Sequence, residues 1–373
     1  MNRRLTRALA AGLSAATIAL AAASPAFAFY QQPRSKKGLL VSQETHQMMQ
    51  DLTDLGVDQA IVNLSTSQNV NAFDSLASYC KSHGITLTMI LVNRWGAPSS
   101  LLPVSAPVEG SGSYGFNVLT AEGEAAVRNY ARQVASHYSS TVSNWVIGNE
   151  INDAHEWDYN GIMNMEEHGQ TYAKAFRIFY EEIKKANPEA RVLIPFNMCW
   201  NATLGIEGYY KVSEYLPYLN ELLKDTEYGI AWHPYPVFFY TKPEFLDDLG
   251  ITDSLADTPN INLKNIHLLI DYMKTAPMLA PDGTMRHLYC TEQGFTSACE
   301  NGEERQCNAI RDAWNVVQSY PEIEGFYLTR QVDSMYQTMA GGAFGLWTRD
   351  ENASLDETPK AKKPAWSVYQ SLH

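Results

Sequence analysis

Two glutamates in this sequence follow directly on apolar segments. Glu150 ends the segment WVIGNE (145–150), and Glu292 ends the segment HLYCTE (287–292). A carboxylate in a buried strand is costly unless it is hydrogen-bonded or lies at the solvent end, so we expect both side chains at strand ends. Two carboxylates that face one cavity can act as proton donor and nucleophile if their surroundings separate their pKa values.

Other chemistries have less support in the sequence. No G-x-S-x-G segment is present, so a serine hydrolase is not indicated. His155, His168 and His233 lack the spacing of zinc ligands, and the five cysteines contain no C-x-x-C pair. Chemistry by two carboxylates requires no cofactor, so we predict neither a metal nor a cofactor.

Eight apolar, mostly β-branched runs alternate with amphipathic helical patterns. Strands are predicted over 39–41, 59–64, 85–92, 143–148, 191–196, 228–232, 287–291 and 325–329. Helices are predicted over 46–55, 72–83, 121–138, 171–186, 210–224, 263–275, 309–320 and 364–372. Continuous apolar runs are typical of strands buried on both faces. Eight such units predict an α/β fold, a single (β/α)8 TIM barrel.

The predicted loops differ in length at the two ends of this barrel. Long loops follow strands three, four, six and eight (95–119, 151–168, 234–260 and 331–363), whereas the returns from helix to strand are short. Long βα loops indicate the face that carries the site. A doubly wound open sheet has the same alternation, but it often has a Gly-rich phosphate turn, and no predicted strand here ends in G-x-G-x-x-G.

The first 28 residues have the pattern of a signal peptide. Arg3, Arg4 and Arg7 precede an apolar run, and an A-x-A cleavage pattern ends at Ala28. The predicted catalytic domain is therefore 29–373, exported to the periplasm or the extracellular space, with no later membrane span. Export makes a disulfide between Cys299 and Cys307 plausible.

Net charge restricts the partners that this chain can bind. The full chain has a net charge of -13, and loss of three leader arginines leaves 25 basic against 41 acidic residues. Such an acidic surface argues against nucleic acid and repels polyanions. A polymeric substrate is therefore expected to be neutral.

Several segments together resemble clan A of the glycoside hydrolases, which are retaining (β/α)8 glycosidases. GNE (148–150) is similar to the Asn-Glu pair of that clan on strand four, and TEQGF (291–295) is similar to its nucleophile segment on strand seven. WHPYP (232–236) resembles a strand-six motif, and FGLWTRD (344–350) with KKPAW (362–366) resembles the closing loop and helix. The resemblance covers the whole chain after the leader.

This resemblance implies a role for five residues. Glu150 would be the general acid/base and Glu292 the nucleophile, with about 5–5.5 Å between the carboxyl groups. Asn149 would hydrogen-bond the sugar 2-hydroxyl, Tyr235 would orient Glu292, and His233 would line the same subsite. A neutral poly- or oligosaccharide would be the substrate.

Two positions depart from the clan pattern. Many members have an arginine near the end of strand two and a tryptophan at the end of strand eight, but strand two here ends in VNL (62–64). Arg94, Arg330 and Trp347 are the candidate replacements. Further predicted substrate contacts, chosen because they end strands or lie in the loops after them, are Asn93, Asn197 and Trp200.

The sequence therefore predicts a secreted retaining glycoside hydrolase. Two alternatives keep the same groove: a non-catalytic carbohydrate-binding barrel, which would not require both glutamates, and a transglycosylase that uses the same two residues. The sequence does not indicate the sugar, the linkage, endo or exo action, or the oligomeric state.

Overall fold

The computed structural model describes residues 28–104 and 112–373 and is built around eight parallel strands. They are β1 Lys37–Leu40, β2 Gln59–Ser65, β3 Thr86–Val92, β4 Val142–Ile147, β5 Arg191–Asn197, β6 Gly229–His233, β7 Leu288–Gln293 and β8 Ile323–Leu328. Each strand pairs with its neighbours in sequence, and β1 also pairs with β8. The sheet is therefore a closed barrel, which confirms the predicted (β/α)8 fold and excludes the open-sheet alternative.

Helices follow the strands around the outside of the barrel. They are α1 His46–Asp54, α2 Asp74–His83, α3 Ala121–His137, α4 Met165–Ala186, α5 Val212–Leu223, α6 His267–Met273, α7 Gly302–Ser319, α8 Met335–Met339 and α9 Pro364–Ser371. A 3-10 turn, Ala276–Met278, follows α6. None of the helices within 28–104 and 112–373 is long and apolar enough to cross a membrane.

The structure corrects some of the predicted element boundaries. Helix α4 begins six residues before the predicted start, because Asn164 and Glu167 form a reciprocal capping box at its N-terminus. Helix α7 also begins early, with Glu303 and Glu304 in a polar first turn that shows no apolar periodicity. The strand-eight loop contains helix α8 and a hairpin of β9 Trp347–Arg349 and β10 Pro359–Lys362, which the sequence did not predict.

The barrel core is closed at the N-terminal end of the strands. The lumen is filled by apolar side chains from several strands, among them Ile61, Ile90, Val146 and Leu193. Below them, Tyr327 exchanges hydrogen bonds with Thr88 at 2.6 Å and Gln59 at 2.8 Å. A ligand therefore has to enter from the C-terminal end.

A short N-terminal segment covers this closed end. The amide nitrogen of Phe29 donates to Oδ1 of Asn187 at 3.0 Å, and Nδ2 of Asn187 donates back to the Phe29 carbonyl at 2.7 Å. The Arg191 guanidinium lies 4.4 Å from the Tyr30 ring centre. The predicted signal peptide lies outside the described residues, apart from Ala28.

All five cysteines are free thiols in the structure. The disulfide expected between Cys299 and Cys307 is not formed. Cys307 is a buried residue of α7 and packs in the apolar core, whereas Cys299 lies in the loop before that helix and is partly exposed. Burial raises the pKa of both thiols, which favours the protonated form.

Candidate active site

A cavity of about 660 Å³ opens at the C-terminal end of the barrel. Loops after five strands (β3, β4, β5, β6 and β8) contribute to its walls, as in other (β/α)8 barrels. Of the residues predicted from the sequence, the cavity is lined by Arg94, Asn149, Glu150, Asn197, His233, Tyr235, Glu292 and Arg330.

Glu150 lies in a tight turn immediately after β4. Its backbone has φ 36°, in the left-handed region that a non-glycine residue rarely adopts, and Gly148 before it has φ 84°. The Asp153 amide donates to the Glu150 carbonyl at 2.7 Å and the Ile151 amide to the Pro195 carbonyl at 3.2 Å. The turn thus directs the Glu150 side chain, which is 15% exposed, into the cavity. Strained backbone of this kind is frequent at functional sites.

Glu292 is the last residue but one of β7 and lies across the barrel from Glu150. The Tyr235 hydroxyl donates to its Oε1 at 2.8 Å. Burial, together with the charge of Glu292, raises the pKa of Tyr235 well above its usual value, so the phenol remains a donor. This bond holds the carboxylate of Glu292 in one orientation, with its side chain 23% exposed.

His233 lies between the two glutamates and is fully buried. Its Nδ1 is 2.9 Å from Oε1 of Glu150 and 3.9 Å from Oε2 of Glu292. Because both oxygens lie near one nitrogen atom, they are less than about 7 Å apart, an upper limit that the separation of about 5–5.5 Å in retaining glycosidases satisfies. Burial by itself lowers the pKa of His233, but the hydrogen bond to Glu150 and the charges of both glutamates outweigh burial and raise it.

A third carboxyl group, from Asp153, lies on the same wall as Glu150. Burial and the nearby charge of Glu150 raise the pKa of Asp153 to about 7. Asp153 was not predicted from the sequence. Its only sequence signal is its place three residues after Glu150, where the tight turn brings its side chain back to the cavity.

The other side of the cavity is aromatic. Tyr235, Phe239, Tyr240 and Phe344 pack together with ring centres 4.4–6.3 Å apart, and all four line the cavity. Three of them were missed because the loops after strands six and eight show no periodic pattern. The run VFFY (237–240) in a predicted βα loop was the available signal.

Two of the predicted substrate contacts line the cavity but also bond to other residues of the protein. Arg330 forms an ion pair with Glu357, a residue of the β9–β10 hairpin that the sequence analysis did not select. Asn197 donates to the Tyr209 hydroxyl at 2.9 Å and accepts from Asn152 at 2.7 Å. Its amide therefore holds the cavity wall together.

The structure places three other predicted contacts away from the cavity. Asn93 is fully buried and donates to two loop carbonyls, of Leu101 at 2.9 Å and Gly115 at 2.8 Å. Trp200 is 2% exposed, and its indole donates to the Leu255 carbonyl. The Trp347 indole donates to a buried carboxylate, that of Asp51 at 2.6 Å. In each of the three residues, the polar side-chain atoms form hydrogen bonds within the protein. These side chains therefore hold loops against the barrel.

One family model matches most of the chain, and solved structures share its fold. The model of DUF5722, described as a family of unknown function, matches residues 66–373. None of the curated proteins searched matches the chain. A family 39 glycoside hydrolase from the gut symbiont Bacteroides cellulosilyticus WH2 has a TM-score of 0.63 at 14% identity. That alignment covers 92% of this chain but only 64% of that enzyme.

Two further structures align with this chain over most of their own length. A hyperthermophilic beta-glucosidase from Pyrococcus furiosus aligns with TM-score 0.57 and 15% identity, over 87% of this chain and 83% of the enzyme. A psychrophilic family 10 endo-beta-1,4-xylanase aligns with TM-score 0.54 and 13% identity, over 90% and 96% respectively. At these identities the likeness concerns the fold, and it confirms the predicted resemblance to clan A barrels.

Proposed function

The chain belongs to the DUF5722 family, whose function is unknown, and we propose that it is a retaining glycoside hydrolase. Glu150 is the acid/base in this proposal and Glu292 the nucleophile. One observation supports it above all others. Glutamates at the ends of β4 and β7 contact the same imidazole, that of His233, at 2.9 and 3.9 Å. The two carboxyl groups therefore lie within about 7 Å of each other, which supports double displacement, since that mechanism requires about 5–5.5 Å.

In the first step, a carboxylate oxygen of Glu292 attacks the anomeric carbon, and the bond to the glycosidic oxygen breaks. The protonated carboxyl group of Glu150 gives its proton to that oxygen, so the leaving group departs as an alcohol. Tyr235 holds Glu292 in the attacking orientation through the 2.8 Å hydrogen bond. The product is a glycosyl ester on Glu292 and a carboxylate on Glu150.

In the second step, the Glu150 carboxylate takes a proton from a water molecule, whose oxygen attacks the same carbon. The ester bond breaks, Glu292 is released as a carboxylate, and Glu150 again has its proton. The sugar leaves with the configuration of the substrate, because each step inverts it once.

His233 balances the charge that moves during this cycle. Negative charge passes from Glu292 to Glu150 in the first step and returns in the second. A protonated imidazole next to both groups stabilises either state without moving, and the raised pKa of His233 favours that protonation.

The charges of the cavity favour a neutral sugar. Its acidic lining residues are Glu150, Asp153, Glu156, Glu292, Asp356 and Glu357, against the two arginines Arg94 and Arg330. An anionic ring would be repelled by this excess of carboxylates. We therefore propose a neutral poly- or oligosaccharide as substrate. We also propose that residues 1–28 are a signal peptide and that 29–373 is the exported catalytic domain.

The proposal is tested by a screen of 4-nitrophenyl glycosides and of plant, fungal and bacterial polysaccharides. On the best substrate, Glu292→Ala should lower kcat by about 10⁴-fold or more, since no other group forms the ester. A second variant, Glu150→Ala, lacks the proposed acid/base. Azide should restore turnover in Glu292→Ala, which gives an inverted glycosyl azide, and in Glu150→Ala, which gives a retained one. Glu351→Ala, an exposed acid outside the cavity, is the control. An unchanged rate in Glu292→Ala would contradict the proposal.

A further inference from the structure

The strand-eight side of the cavity contains an ion pair that the proposed chemistry does not use. Arg330, two residues after β8, donates through Nη1 to Oε1 of Glu357 in the β9–β10 hairpin. The side chains are only 17% and 10% exposed, although both line the cavity. Removing two charges from water is costly, and their mutual attraction alone seldom compensates for it.

Three polar atoms of this corner have no hydrogen-bond partner among the described residues. They are Nε of Arg330, Oε2 of Glu357 and Oε1 of Gln337, a residue of α8. All three residues line the cavity, and Gln337 is 7% exposed. Buried polar groups are nearly always paired, so three unpaired groups in residues that line one corner favour a polar ligand there. Because the atoms themselves are buried, such a ligand would reach them with a small shift of these side chains.

The backbone of this corner is also constrained. Glu357 has φ 56°, in the left-handed region, which costs free energy for a residue with a side chain. Both carboxylate oxygens of the neighbouring Asp356 accept from the Met335 amide at 3.1 Å. The hairpin is thereby attached to the start of α8, which keeps Glu357 directed toward Arg330.

Two aromatic rings form the adjacent wall. Tyr240 and Phe344 stack with ring centres 5.8 Å apart and an interplanar angle of 24°. Both line the cavity beside Arg330. An apolar face beside a donor and two acceptors suits a pyranose ring, whose faces are apolar and whose hydroxyl groups lie at its edge.

We propose that Arg330, Glu357 and Gln337 form a subsite that binds two neighbouring hydroxyl groups of a neutral sugar ring. This subsite rests on the proposed function of the cavity as a glycoside-binding site. Each hydroxyl both donates and accepts, so one can donate to Glu357 or Gln337 while another accepts from Arg330. Because Glu357 neutralises Arg330, the subsite disfavours a uronic acid, which an unpaired arginine would bind.

Binding is measured separately from turnover in a protein that carries Glu292→Gln. Cellotetraose, xylotetraose and mannotetraose are titrated calorimetrically, with trigalacturonate as the anionic comparison. For the tetrasaccharide that binds most tightly, Glu357→Gln added to this background should weaken Kd by about 10-fold or more, because a hydrogen bond to a charged acceptor is lost. Gln337→Ala, which leaves the ion pair intact, should weaken Kd by a smaller factor.

Glu351→Gln is the matched control, since Glu351 is an exposed acid of the same loop between β9 and β10. It should leave Kd unchanged. The subsite is contradicted if no neutral tetrasaccharide binds, if Glu357→Gln binds as tightly as its parent, or if trigalacturonate binds best. Glycoside hydrolysis by the wild type with unaffected binding in Glu357→Gln would contradict the subsite alone. Glu357-dependent binding without any hydrolysis would contradict only the proposed activity.

Discussion

The three carboxyl groups near β4 and β7 have different surroundings, and the differences support the separate roles proposed for Glu150 and Glu292. Glu292 accepts a hydrogen bond from a phenol that stays protonated, whereas Glu150 contacts an imidazole. Asp153 has neither partner, and its pKa of about 7 follows from burial and from the charge of Glu150. Separate surroundings for neighbouring acids are what acid/base chemistry at one site requires.

Tyr235→Phe tests the orientation of Glu292, the proposed nucleophile. The variant keeps the ring among Phe239 and Phe344 but loses the donor to Glu292. A hydrogen bond to a charged group contributes about 1.5–3 kcal/mol, so kcat should fall by about 10- to 100-fold. Steady-state kinetics should show a smaller change in KM. A wild-type kcat in Tyr235→Phe would show that the hydroxyl does not position Glu292.

Asp153→Asn tests the raised pKa of the Asp153 carboxyl group through the pH dependence of the free energy of unfolding. A folded-state pKa near 7 means that the native protein binds this proton more tightly than the unfolded chain. Stability is thus lost as pH rises from about 4 to 7. Asp153→Asn removes this titration, so the variant should be more stable than the wild type at pH 8, by about 1–3 kcal/mol, and by less at pH 5. Urea unfolding at both values checks this, and an equal difference at the two pH values would refute it.

At the scale of elements, strands β7 and β6 carry Glu292 and His233, whereas the turn after β4 carries Glu150. The turn after β4 is attached to β5 by a reciprocal amide pair. Nδ2 of Asn152 donates to Oδ1 of Asn197 at 2.7 Å, and the backbone nitrogen of Asn197 donates to Oδ1 of Asn152 at 3.0 Å. Both residues are buried. The pair opposes relaxation of the left-handed backbone at Glu150, two residues away.

Asn152→Ala should therefore impair catalysis through Glu150. We expect kcat to fall about 10-fold with KM within twofold, together with a stability loss of about 1–3 kcal/mol. Asn152→Asp, which keeps the acceptor and loses only the donor, should be intermediate. Asn220→Ala is the control, because Asn220 is a buried residue of α5 outside the cavity, and its side-chain amide bonds Pro277 and Tyr228. Equal effects of Asn152→Ala and Asn220→Ala on kcat would mean that only stability was affected.

The sequence predicts the strands better than the loops, for a physical reason. Strands buried on both faces require continuous apolar runs, so β4 and β7 and the glutamates at their ends are visible in the sequence. The contacts of a loop residue depend on residues that are distant in the sequence, so a local pattern does not predict them. Trp347 was predicted at the cavity, but its indole binds Asp51 of α1, and Glu357 reaches Arg330 only through a hairpin without a sequence signal.

At the scale of the whole molecule, one end of the barrel is sealed and the other is open and acidic. The N-terminal segment and the polar layer around Tyr327 close one end, and the cavity of about 660 Å³ occupies the other. The whole chain has an excess of acidic residues, with a net charge of -13, and the residues that line the cavity also include more acids than arginines. Composition indicated a neutral substrate, and the cavity lining supports the same proposal locally.

Identification of a covalent intermediate tests the central proposal most directly. The protein is incubated with 2,4-dinitrophenyl 2-deoxy-2-fluoro glycosides, whose fluorine slows the second step more than release of the activated leaving group, and its intact mass and proteolytic peptides are measured. We predict a mass increase of one fluoroglycosyl group, located on Glu292 and absent from Glu292→Ala. A label on another residue, or glycoside hydrolysis with inverted configuration and no label, would contradict the assignment of Glu292 as the nucleophile.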